Sequence, residues 1–137
     1  MTRILAAFLS STLLAACMSA HPRPDANTSS TRISQAGKYE VTYESTILPV
    51  PKRQLHAWTI QLRDRDGHPV DGAELRIAGG MPDHGHGLPT KPYVREALGG
   101  GRYVVEGMKF NMGGWWVVKF HLASAVGTDS VVFNLKL

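Results

Sequence analysis

The chain has 137 residues, 43% of them hydrophobic and 19% charged, with a formal net charge of +4 and one cysteine. That length is one domain's worth and buries a real core, while a lone cysteine excludes an intramolecular disulfide. The cations are scattered rather than massed in a run, so the basic balance does not point to nucleic acid and no such partner is expected.

Arg3 followed by the apolar stretch Ile4 to Leu14 has the form of an export signal, too short for a comfortable transmembrane helix. It runs into Leu14-Ala15-Ala16-Cys17, which resembles the bacterial lipobox. The resemblance implies cleavage after residue 16 and lipidation of Cys17, giving a protein held at a membrane by its N-terminal lipid. Cys17 would then be unavailable as a thiolate for metal binding or catalysis. Met18 follows the cysteine where an Asp does not, which in a diderm favours the periplasmic face of the outer membrane. Residues 17–37 are rich in Ser, Thr, Pro, Asn and Ala and lack apolar periodicity, so they are expected to form a flexible tether that includes His21.

Residues 38–137 are expected to be the folded domain. Tyr39, Val41 and Tyr43 share one strand face, and Trp58, Ile60 and Leu62 share another between Thr59, Gln61 and Arg63. Asp66-Gly67 marks a turn in which His68 is most simply a solvated residue. Leu75 and Ile77 point inward from the next strand, and Tyr93 to Leu98 forms a short one closed by Gly99-Gly100-Gly101. Arg102 to Phe110 breaks parity in a way that a bulge at Gly107 would explain. Trp116, Val118, Phe120 and Leu122 make one face, and Val131, Phe133, Leu135 and Leu137 make the last. About seven short strands with frequent turns and no convincing helix predict an all-β, immunoglobulin-like antiparallel β-sandwich, without the immunoglobulin cysteine pair.

Gly79 to Pro92 (GGMPDHGHGLPTKP) stands apart from the strands. His84 and His86 lie two apart among glycines, with Met81 three residues ahead of His84 and prolines stiffening the backbone. If the loop is extended, the two histidines project to one side with Cα atoms about 7 Å apart. Imidazole and thioether are transition-metal ligands, and two histidines need further donors for a tight site. Met81 is nearest in sequence, and Met112 occupies a turn that could reach the same end of the sandwich. Met108 and His121 are further candidates, and Asp83 could serve as a ligand or as the acceptor fixing a histidine tautomer. The structural alternatives are equally concrete. The histidines could hold an irregular loop through backbone hydrogen bonds, the methionines could fill core space, and His121 could be an outward residue beside Lys119. A mixed His/Met set in an exported protein favours copper, with zinc as runner-up if Asp83 and the histidines dominate. The absence of a cysteine ligand excludes a blue-copper centre.

Catalysis finds little support. Ser45, Ser124 and Ser130 are the serines of the domain, and none has a nucleophile-elbow context. Asp83 and, more distantly, Glu96 are the carboxylates near the histidines, and neither is an evident general base for a metal-bound water. The protein is not expected to be an enzyme.

The loop Met81-Pro82-Asp83-His84-Gly85-His86-Gly87 is followed by Gly101-Arg102-Tyr103, Gly107-Met108-Lys109-Phe110-Asn111-Met112 and Gly114-Trp115-Trp116. In that order and spacing the segments resemble the YtkA-like family and related FixH-like exported domains, over roughly Tyr39 to Leu137. The resemblance implies an immunoglobulin-like sandwich outside the cytoplasmic membrane. Some relatives are linked to copper handling or oxidase assembly, which implies Met81, His84, His86 and Met112 as the ligand positions. The predicted lipid anchor departs from the transmembrane anchor usual among FixH-like proteins. The expected function is copper buffering or delivery, with a copper-receiving or envelope protein as partner. The alternative is a non-catalytic interaction module in which a rigid histidine loop and an outward Trp115 form the contact surface.

Overall fold

The computed structural model of the protein describes residues 27–137. The expected signal peptide, Cys17 and His21 lie outside the described residues. Nine strands follow in order: β1 (Thr31–Ile33), β2 (Tyr39–Ser45), β3 (His56–Asp64), β4 (Glu74–Met81), β5 (His86–Gly87), β6 (Tyr93–Gly99), β7 (Arg102–Met108), β8 (Trp115–Ser124) and β9 (Gly127–Lys136). They form a five-stranded sheet in the order β1-β2-β3-β7-β6 and a four-stranded sheet in the order β5-β4-β8-β9. Every pairing within the two sheets is antiparallel, as expected for the all-β sandwich.

The alternation read along the chain becomes the core. Val41, Trp58, Ile60, Leu62 and Val105 from one sheet are fully buried against Trp116, Val118, Phe120, Leu122 and Phe133 from the other. Apolar side chains two apart along a strand share a face, and joining two such faces removes both from water. The buried phenols are satisfied as well: Tyr103 donates to the Val70 carbonyl at 2.7 Å and accepts from the Ala73 amide at 3.0 Å. The slip expected at Gly107 is present. That residue has φ of +82°, and the β3–β7 register shifts between the His56–Met108 and Trp58–Val105 pairs.

Two strands exceed the expected seven, and one of them moves a boundary. The folded domain does not begin at Lys38, because β1 pairs with β2 from Thr31–Thr42 to Ile33–Glu40. The Asp129 carboxylate then ties the following turn to β9. It accepts from the Ser34 hydroxyl at 2.6 Å and from the amides of Ala36 at 3.0 Å and Lys38 at 3.3 Å. Burial pushes the Asp129 carboxyl up, but its bonds to Ser34, Ala36, Ser130 and Lys38 outweigh that and hold it below the usual carboxylate value. The segment is held by hydrogen bonds rather than by an apolar stripe, so hydrophobic alternation could not announce it.

Candidate metal centre

β4 stops at Met81 because Pro82 has no N–H to give the ladder. Pro82–His84 makes a single 3-10 turn, and Gly85 closes it in the left-handed region at φ 66° and ψ 22°. The Gly85 amide donates back to the Met81 carbonyl at 3.0 Å. The chain then returns as β5, with His86 opposite Met81 and Gly87 opposite Gly80. The loop is therefore a tight reversal and not the extended form under which the two histidines would project to one side. A proline that opens a turn and a glycine free to adopt positive φ favour reversal over extension.

The reversal still brings the histidines together. The His84 and His86 rings have centroids 5.9 Å apart at 31°. His84 is exposed, and His86 is half-buried with its ring edge-on to Trp116 at 5.6 Å and 65°. His86 Nδ1 lies 3.1 Å from the Gly87 carbonyl oxygen. A carbonyl only accepts, so Nδ1 carries the proton and Nε2 keeps its lone pair for a metal.

Met81 faces His86 across the β4–β5 pair, where directly opposed Cβ atoms stand about 4.5–5.5 Å apart. Its side chain is buried and packs over Gly114, where an added Cβ would lie 2.6 Å from the Met81 Cε. Met112 is 40% exposed, and its carbonyl accepts the Trp116 indole N–H at 3.1 Å. The same tryptophan thus contacts His86 and the Met112 backbone. The two histidines and the Met81 position cluster at this end of the sandwich, with the Met112 turn tied in through Trp116.

The remaining candidates fall elsewhere. Asp83 is exposed and does not join the two histidines in a three-donor set with all ligand atoms within 4.8 Å of one another. Met108 is fully buried opposite His56, where it fills core space. His121 is exposed between Arg76 and Ser130, six residues along β8 from Trp115 and so about 20 Å from the loop end of that strand. Trp115, expected on the outward face, is half-buried, and its indole nitrogen is buried without a hydrogen-bond partner among the described residues.

A family model described as YtkA-like matches residues 33–121. The chain belongs to the YtkA-like family. No curated protein and no solved structure matches it. The matched span runs from the end of β1 to His121, so it contains the histidine loop, Met112 and Trp116.

Two further clusters in the YtkA-like domain look like sites and are occupied by structural bonds. His56 is buried, donates from Nδ1 to the Gln54 carbonyl at 3.1 Å and accepts the Trp58 indole N–H at Nε2 over 3.2 Å. Both ring nitrogens are engaged, so His56 has no lone pair to offer. The sequence reading passed over it, although its spacing of two from Trp58 on an inward strand face was a usable signal. Asp64, Asp66 and His68 bring three donor atoms together on the surface. Asp64 Oδ1 already accepts from the amides of Asp66 and His68, both at 2.9 Å, and Oδ2 lies 3.3 Å from His68 Nδ1. Those bonds are what a capped turn requires. A cleft of about 420 Å³ on the flank, lined by Tyr43, Val50, Lys52, Asn134, Leu135 and Lys136 among others, contains none of the candidate ligands.

Proposed function

We propose that this YtkA-like domain belongs to a lipid-anchored extracytoplasmic protein that binds copper at the His84–His86 loop and buffers it or delivers it to an envelope partner. The observation that carries the reading is the histidine pair, with rings 5.9 Å apart and the proton of His86 held on Nδ1 by the Gly87 carbonyl. A histidine ligand with its other nitrogen hydrogen-bonded to a carbonyl is the usual arrangement at metal sites. The choice of copper over zinc rests on the donors nearby. Zinc prefers three or four nitrogen, oxygen or thiolate donors, and Asp83 does not complete such a set. Met81 and Met112 supply thioethers, which suit Cu(I). The role proposed is binding rather than catalysis.

The test is a titration of the protein with Cu(I), Cu(II) and Zn(II) beside a His84→Ala/His86→Ala variant. A single tightly held equivalent of copper, lost in the variant, is the expected result. Uptake no greater than the variant's for all three ions would sink the copper reading and leave the loop as a structural or protein-contact element. The anchor is tested separately by labelled palmitate, whose incorporation should vanish in Cys17→Ser.

A further inference from the structure

Two candidate ligands are reached by one side chain that is itself no ligand. Trp116 is fully buried, stands opposite Leu135 in β9, and has Phe110 edge-on at 5.2 Å and 68°. That packing leaves the indole little freedom. Its single N–H needs an acceptor once buried, and the acceptor is the backbone carbonyl of Met112, whose side chain is exposed. Asn111 and Gly113 beside Met112 are exposed too, and the turn is secured again at Gly114, which exchanges two backbone bonds with Leu137 at 2.7 and 3.0 Å. The indole also stands T-shaped to the ring of His86, with centroids 5.6 Å apart. One rigid side chain therefore holds the backbone that carries the Met112 thioether in the β7–β8 connection and packs against an imidazole from β5.

We propose that Trp116 is the positioning residue that joins Met112 to His86 in one ligand set, and that this union gives the site its preference for Cu(I) over Zn(II). The inference rests on the copper reading above and adds what assembles the site. Zn(II) draws on the imidazoles and hardly on a thioether, whereas Cu(I) uses both, so disturbing the union should separate the two ions.

The experiment compares Trp116→Phe with the parent protein in competition titrations, using Cu(I) alone and Zn(II) alone as probes. Phenylalanine keeps a ring against His86 and Phe110 but removes the indole N–H. Cu(I) affinity should fall by about tenfold or more, as when an outer partner of a metal ligand is removed, with Zn(II) affinity held within about threefold. Met112→Leu should reproduce the Cu(I) loss. Combining it with Trp116→Phe should add little, because both changes remove the same contribution. Equal losses for both ions, or fully additive Cu(I) losses, would overturn the proposal and reduce Trp116 to a core residue. A parent protein that binds neither ion would instead overturn the copper reading, and this inference with it. Should Trp116→Phe not fold, NMR of the parent decides. Cu(I) is expected to shift the Trp116 indole N–H and the Met112 methyl together, and an unmoved indole signal counts against the proposal.

Discussion

At the residue scale the same side chain meets two fates according to its partners. His86 spends one nitrogen on a carbonyl and keeps the other, whereas His56 spends both and is sealed in the core. Burial holds the His56 pKa below its ordinary 6.5, partly offset by the bond to the Gln54 carbonyl. The unfolded chain therefore binds this proton more readily than the folded one. The stability His56 contributes is fully present above pH 6.5 and is lost as pH falls below it toward the depressed folded value. Urea midpoints measured from about pH 7 down to about pH 5 should decline for the parent, and His56→Phe should flatten part of that decline. A slope unchanged by the substitution would assign the acid sensitivity to other groups.

At the element scale the loop depends on glycines for two different reasons. Gly85 has φ of +66° and open space around a would-be Cβ, so Gly85→Ala should cost only the backbone preference, about 1 kcal/mol in thermal unfolding. Gly114 has φ of +127° and sits against the Met81 methyl. Gly114→Ala should cost about 1–3 kcal/mol of backbone strain and also push Met81 aside, because the flexible end of a methionine yields before the backbone does. Copper affinity should therefore drop in Gly114→Ala and survive in Gly85→Ala; the reverse order would remove Met81 from the ligand set. Much of the element layer was legible in the sequence. Trp58-Ile60-Leu62 and Trp116-Val118-Phe120-Leu122 alternate cleanly, and Gly107 marks its bulge. β1 and β5 were not legible, since three polar-flanked residues and a His-Gly pair carry no periodicity of their own. The reversal of the histidine loop was not read from the sequence either, where the spacing of the pair was considered only for an extended loop. Pro82 was read as stiffening the backbone, when together with Gly85 it specifies a reversal.

At the scale of the whole molecule the aromatic core joins the two sheets and ends beneath the loop. Phe110 lies 6.2 Å from Trp58, 5.2 Å from Trp116 and 5.8 Å from His56, and it is fully buried. Phe110→Ala should remove about 3–5 kcal/mol, a large share of the roughly 5–15 kcal/mol typical of a domain. Chemical denaturation would register it, and a loss under about 1 kcal/mol would mean that the core closes around the gap. The candidate site stands on this core, with Trp116 packed against both.

Local pattern sufficed for the all-β sandwich, most of its strand faces and the family, because period-two alternation and a motif in fixed order are local properties of the chain. It also singled out His84 and His86 as neighbours. Which other residues stand with them is set by the packing of the two sheets. Met112 stood in the expected ligand set with Met108 and His121 as further candidates, and the three diverge through sheet register: Met108 turns into the core opposite His56, His121 runs to the far half of β8, and the Met112 carbonyl meets the indole of Trp116. Contacts between residues far apart in sequence depend on how two sheets are laid over one another, and no local pattern encodes that.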